Sequence, residues 1–263
     1  MKKWFLRGIS GFGNNRKVIH KKAVCGSGGV GVLVKESLLR SWSCEVLDNE
    51  VEDILWVKLS SVVSELVLLL AVCYIPPISS GREVCNEERW LRLSEQVSKY
   101  ACLGTVILCG DFNARCGNMD EAEGVACRVS EDQVINEQGR MMVDWTRSLG
   151  LCMVNGRVGS GDFTCVSPKG SSVVDYCLLF KDDLEVISDF EVVSMTDFVD
   201  RFHAGRVVER IPDHSALVWE VVIDNSAASN VRDDDTENST GDKFRYVVPD
   251  GYLGGKEKEV RSV

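Results

Sequence analysis

Thr105-Val106-Ile107-Leu108-Cys109-Gly110-Asp111-Phe112-Asn113-Ala114-Arg115 is the stretch on which the reading of this chain turns. The run from Thr105 to Cys109 is apolar, rich in branched side chains and short, which predicts a buried strand. Asp111 and Asn113 follow at its end. Side chains two residues apart on an extended chain point to the same face, so a carboxylate and an amide stand together at a sheet rim. Sites in α/β folds collect at that rim. A metal-assisted phosphodiesterase is the chemistry this box suggests first.

The same logic extends outward along the chain. Gly28 to Val34 is a Gly-rich lead-in to a strand; without a Gly-Lys-Ser/Thr ending and a following helix, it is no phosphate loop. Asp53 to Leu59 alternates, and Leu66 to Tyr74 is a continuous apolar strand stopped by Pro76-Pro77. Asn86 is positioned to cap a helix with Trp90, Leu93, Val97 and Ala101 on one face. Asn136 is positioned to cap a second helix, with Met142, Trp145 and Leu149 on one stripe and Gly150 as its stop. Further strands are expected at Leu151–Val154, Phe163–Val166, Val173–Phe180, Leu184–Val193 and Ala216–Ile223. Many strands with few helices in mixed order point to an α/β fold of two stacked sheets flanked by helices.

The 263 residues carry a net charge of −10, spread unevenly. Residues 1–22 hold seven basic and no acidic side chains, whereas residues 23–223 hold 17 basic and 31 acidic ones. An acidic body argues against tight nonspecific nucleic-acid binding by charge alone. It leaves metal catalysis open, because a metal cluster needs carboxylates and brings its own positive charge. The eleven cysteines include no CxxC pair, and many fall in apolar runs, so they read as buried reduced thiols in an intracellular protein, nuclear or cytoplasmic. The longest apolar run, Leu66 to Ile75, is too short to span a bilayer, and no membrane association is expected. The expected organisation is a basic remnant over 1–24, one domain over 25–223, and an acidic, disordered tail or linker over 224–263.

Three more boxes join the first: Tyr74-Ile75-Pro76-Pro77; Thr164 with Ser167-Pro168-Lys169-Gly170-Ser171-Ser172-Val173-Val174-Asp175-Tyr176; and Pro212-Asp213-His214-Ser215. In this order they resemble the endonuclease/exonuclease/phosphatase superfamily, and most of all the apurinic-endonuclease-like domain of LINE-type (non-LTR) retrotransposons and proteins similar to craniofacial development protein 2. The resemblance runs from about Gly28 to about Ile223. It implies a four-layered DNase I-like α/β sandwich lacking its first strands, a Mg²⁺ or Mn²⁺ cofactor, and DNA as substrate. By resemblance, Asp111 prepares the attacking water and helps bind metal, and Asn113 orients the water and the phosphate. His214 contacts a nonbridging oxygen, Asp175 fixes the His214 ring, Asp213 is a metal ligand, and Tyr74 and Thr164 hydrogen-bond the phosphate. Tyr74 has packing, and Thr164 ordinary strand propensity, as an alternative reading.

Two departures from the family pattern matter. The family has a metal-binding Glu on a strand ahead of the Gly-rich one, and no Asp or Glu precedes Glu36 here. Pro212 stands where the family usually has Ser, which removes a hydroxyl and an N–H beside Asp213. Reduced metal affinity is expected, as is an incomplete sheet that a partner chain or an upstream segment would complete. The alternative function is a catalytically silent, domesticated or decayed fragment serving as a binding or structural module. A phosphatase acting on lipid or inositol phosphates is the third reading.

Overall fold

A computed structural model describes residues 2–6, 8–15, 28–78, 86–120, 122–202 and 211–222. The central element is a six-stranded mixed sheet built from β4 (Trp42–Asp48), β5 (Ile54–Ser61), β6 (Val67–Tyr74), β7 (Thr105–Asp111), β8 (Leu151–Met153) and β11 (Asp175–Phe180), in the order β4-β5-β6-β7-β11-β8. The quoted box therefore lies on a central strand. β7 runs parallel to β6 and antiparallel to β11, so it is paired on both edges. Val106 and Leu108 face one side and Ile107 and Cys109 the other, each at most 5% exposed, which explains a continuous apolar run where a half-exposed strand would alternate. Gly110 is required where β7 meets β6: its φ is 140°, and a Cβ there would stand 1.9 Å from the carbonyl oxygen of Cys73.

One face of this sheet carries α1 (Asn86–Tyr100) and α2 (Glu137–Leu149). Trp90, Leu93, Val97, Met142 and Trp145 pack there on Trp56, Leu69 and Leu108. Ala101, expected on the α1 stripe, falls in the turn beyond the helix and is exposed; Tyr100 is buried in its place, tilted against Trp56. Asn136 caps α2 by accepting from the Gly139 N–H at 2.6 Å, and Gly150 ends it at φ 71°.

The opposite face carries a second β layer in two pieces. β1 (Lys2–Leu6), β2 (Ile9–Asn14) and β3 (Val30–Lys35) form one antiparallel sheet, and β12 (Ile187–Val193) and β13 (Ala216–Val221) the other. Val32, Val34, Phe190, Leu217 and Trp219 pack against Leu55, Val72, Ile107 and Leu179. Outside β12 and β13 lies α3 (Met195–Phe202), with Phe198 against Val193 and Ala216. Helices, sheet, sheet and helix make the α/β sandwich. The small hairpin of β9 (Cys165–Ser167) and β10 (Gly170–Ser172) stands apart from both sheets.

Five elements differ from the sequence reading. Residues 2–6 and 9–14, read as a basic stretch ahead of the fold, form β1 and β2, and Asn14 Nδ2 donates to the carbonyls of Val51 and Ile54 at 2.7 and 2.8 Å. β4 and α3 were not expected. The strand read over Leu184–Val193 begins only at Ile187, because Lys181–Val186 is a 3-10 turn with Asp182 and Asp183 at its start. His20, His203, Pro77's following loop from 79 to 85, and the tail over 223–263 lie outside the described residues. Among the described residues no helix is long and apolar enough to cross a membrane. The nine described cysteines are all free; Cys73, Cys109, Cys116, Cys152 and Cys177 are buried, whereas Cys102 and Cys127 are exposed.

Candidate active site

Strand register brings the boxes together. Asp111 is paired with Tyr74 on the β6 side and with Asp175 on the β11 side, so three functional side chains share one row at the rim of the central sheet. They stand on the face that looks toward the second β layer. The loop before β13 closes the row: a β-bridge pairs His214 with Cys165, and His214 Nδ1 lies 2.9 and 3.1 Å from the two oxygens of Asp175. Ligand atoms of Asp111, Asp175 and His214 all fall within 4.8 Å of one another.

The turn after β7 is fixed from within. Asn113 has a left-handed φ of 49°, a conformation Asn tolerates because its short side chain bonds locally. Its N–H donates to Asp111 Oδ1 at 2.8 Å, and Nδ2 donates to Asp111 Oδ2 at 3.1 Å and to the Ile75 carbonyl at 3.0 Å. The carbonyls of this turn are then held from outside. Gln138 Nε2 donates to Phe112, Asn136 Nδ2 to Asn113 at 3.2 Å, the Tyr176 hydroxyl to Ala114 at 2.9 Å, and the Asn136 N–H to Arg115 at 3.0 Å. Gly139 permits this approach, since a Cβ there would meet the Arg115 carbonyl oxygen at 1.9 Å. Asn136, read from sequence only as a cap, and Gln138, not singled out, are thus part of the support of Asn113.

Thr164 is placed differently from a phosphate contact. It is 0% exposed, and its Oγ1 accepts from the N–H groups of Val174 and Asp175, both at 3.0 Å. It sets where Asp175 begins β11. Asp213 is exposed and stands outside the group of three, while its carbonyl accepts from Val166 at 2.7 Å. Tyr74 is partly buried, and its N–H donates to the Asp53 carbonyl at 2.8 Å. Asp53, just before β5, is fully buried at φ 65°, accepts from the Gly29 N–H at 3.1 Å and faces Arg89 at 3.6 Å.

The electrostatics follow from this crowding. Burial, and then the charge of Asp175, push the Asp111 carboxyl up to about 7, against the pull of His214 and the Asn113 hydrogen bonds. The hydrogen bond to Asp175 raises the His214 imidazole to about 9, with further support from the charges of Asp175, Asp111 and Asp213. Near neutral pH the site therefore holds a carboxyl close to its midpoint beside an imidazolium. With Nδ1 committed to Asp175, the His214 Nε2–H is the ring's remaining donor. Such a set abstracts a proton at one end and stabilises an anion at the other.

Comparisons with known proteins bear on the family and the fold. A profile of the Endonuclease/Exonuclease/phosphatase family matches residues 3–194. The fold is similar to the endonuclease domain of TRAS1, a telomere-specific non-LTR retrotransposon, at 14% identity and a TM-score of 0.54, covering 83% of this chain and 82% of that one. It is also similar to the 3′ phosphatase NExo from Neisseria bound to a product DNA hairpin, at 16% identity and a TM-score of 0.54, over 82% and 80% of the two chains. An AP endonuclease from Archaeoglobus fulgidus aligns at 17% identity and a TM-score of 0.51, again over 82% and 80%. Comparison with curated proteins finds no match. The family profile spans most of the chain, and the row Tyr74, Asp111, Asp175 with His214 lies at the rim of an α/β sandwich shared with nucleases: the chain belongs to the Endonuclease/Exonuclease/phosphatase family.

Proposed function

We propose that this chain is a divalent-metal-dependent phosphodiesterase that nicks DNA, of the retrotransposon endonuclease type. The observation that carries the reading is the packing of Asp111, Asp175 and His214 within 4.8 Å at one sheet rim, in a chain similar in fold to the TRAS1 domain. Asp111 takes the proton of the attacking water, and Asn113 orients that water and the phosphate. His214, charged and held by Asp175, donates from Nε2 to a nonbridging oxygen, where negative charge grows in the transition state. Tyr74 hydrogen-bonds the phosphate from the neighbouring strand. Thr164 acts behind Asp175 as a positioning residue.

The donor set fits magnesium. Asp111 and Asp175 offer carboxylate oxygens on adjacent strands, and magnesium is bound by one or two carboxylates while keeping several waters. Asp213, exposed beside His214, offers a third carboxylate. An imidazolium has no free lone pair, so His214 is no ligand. The ion, when bound, supplies positive charge to the phosphate and acidifies a bound water. A location inside the cell, in nucleus or cytoplasm, goes with this reading, supported by cysteines that are free throughout the described residues.

The test is turnover of a duplex DNA by purified protein in Mg²⁺ and in Mn²⁺, with inositol phosphates as competing substrates. Cleavage of DNA alone, lost with EDTA, is expected; no cleavage at any metal concentration, or preference for inositol phosphates, overturns the reading. The engagement of both Asp111 oxygens by Asn113, and of both Asp175 oxygens by His214, favours a second reading, a silent binding module. It gives no rise in melting temperature with Mg²⁺, because an ion that does not bind the native state does not stabilise it.

A further inference from the structure

We propose that the Arg115–Asp132 pair is the positioning element that ties the turn bearing Asn113 to the segment that delivers Asp175. The inference rests on the nuclease reading above and adds to it a residue pair away from the reacting atoms. Asp132 is 2% exposed, and its carboxylate accepts four hydrogen bonds. Oδ1 accepts from Arg115 Nη2 at 2.6 Å and from the Val134 N–H at 3.0 Å. Oδ2 accepts from Arg115 Nε at 2.8 Å and from the Val173 N–H at 3.0 Å. Arg115 Nη2 reaches further, to the Ser171 carbonyl at 3.3 Å.

The placement of these bonds gives them meaning. Arg115 lies two residues after Asn113, and Val173 two residues before Asp175. One carboxylate therefore bridges two chain segments that approach the rim from different strands. The segment from Val173 to Asp175 gives all its N–H groups to side chains: Val173 to Asp132, and Val174 and Asp175 to Thr164. Strand pairing alone fixes Asp111 against Asp175, but Asn113 lies beyond the end of β7 and depends on the turn. A bidentate guanidinium on a buried carboxylate is a directional link that a lysine does not reproduce. A misplacement of about 1 Å at a reacting centre costs about a hundredfold in rate.

The test compares the full chain with Arg115→Lys and Asp132→Asn on duplex DNA in Mg²⁺, with ¹H–¹⁵N spectra of each. Arg115→Lys keeps the charge and leaves the buried carboxylate partly paired, so it serves if Asp132→Asn fails to fold. The expected result is a fall in kcat of about a hundredfold with KM nearly unchanged. In the spectra, Arg115→Lys is expected to move the amides of Val173, Val174 and Asp175 as well as those of its own turn. Unchanged kcat in folded Arg115→Lys, or a rise in KM alone, overturns the proposal, as do shifts confined to residues near position 115. If the parent chain cleaves no DNA, the nuclease reading fails separately, and the reach of the spectral changes alone decides the positioning role.

Discussion

The turn after β7 and the loop before β13 deliver the two ends of the same site, yet they are built in opposite ways. The first is pinned carbonyl by carbonyl: Gln138, Asn136 and Tyr176 hold Phe112, Asn113 and Ala114, and the buried Asp132 anchors Arg115. The second is held chiefly by backbone bonds to the β9 region, Val166 to the Asp213 carbonyl and Ser215 to the Thr164 carbonyl, while Asp213 itself is exposed. A group that must take a proton from a small, weakly held water gains from rigid placement. A group that meets a large anionic substrate works through charge, which tolerates small displacements better than a hydrogen bond does.

This contrast can be broken at several points. The largest effect is expected at the pinned end: Asp111→Asn keeps the shape and removes the base, and nicking should fall by roughly 10² to 10⁴-fold in a variant that remains folded. His214→Gln, at the looser end, should lose roughly 10² to 10³-fold through the missing positive charge. A loss at His214 equal to or larger than that at Asp111 would remove the contrast.

The pH profile sharpens it. Without metal, Asp111 loses its proton as pH rises through about 7, and His214 loses its charge as pH rises through about 9; a bound cation pulls the first of these lower. Activity should climb across the first and decline across the second, giving a bell with its plateau between them; Asp111→Asn should remove the lower limb, and a flat profile would contradict the assignment. Stability has a definite sign as well. Because His214 is raised above its ordinary value, its contribution is fully present below about 6.5 and is lost as pH rises toward 9, so His214→Gln should destabilise most at mildly acid pH.

Smaller effects test the supports. Gln138→Ala and Thr164→Val each leave buried groups without a partner and should cost about 1–3 kcal/mol in denaturant unfolding, with Thr164→Ser recovering most of the loss. Asp213→Asn should leave stability within about 0.5 kcal/mol, as befits an exposed side chain, and should raise the metal concentration needed for activity. If Thr164→Val left stability intact and weakened only substrate binding, the phosphate role expected from sequence would return.

The elements that could be read in advance share a short-range cause. Val106 to Cys109 is buried on both faces and so is uniformly apolar; Asn136 and Gly150 bracket α2 through bonds to their own helix. Asp175 and His214 were paired through the family resemblance, and they stand 2.9 Å apart. What escaped depends on distant partners. Asp132 and Gln138 act on chain segments up to 62 residues away, and such bonds leave no periodic trace. β2 reads Ile-Ser-Gly-Phe-Gly-Asn, too rich in glycine to look like a strand, and takes its order from pairing with β3. Thr164 was read as a phosphate contact, and one residue type serves equally as that and as a backbone clamp; its complete burial and the two N–H groups it accepts support the clamp.

On the proposed function, the rim of Asp111, Asp175 and His214 cleaves DNA. The most direct measurement incubates supercoiled plasmid with the purified chain and, in parallel, with Asp111→Asn, both folded by circular dichroism, at about pH 8 in Mg²⁺, between the two titrations. Nicked circles from the parent chain and none from the variant are expected. Equal nicking by both, or none from the folded parent, would contradict it.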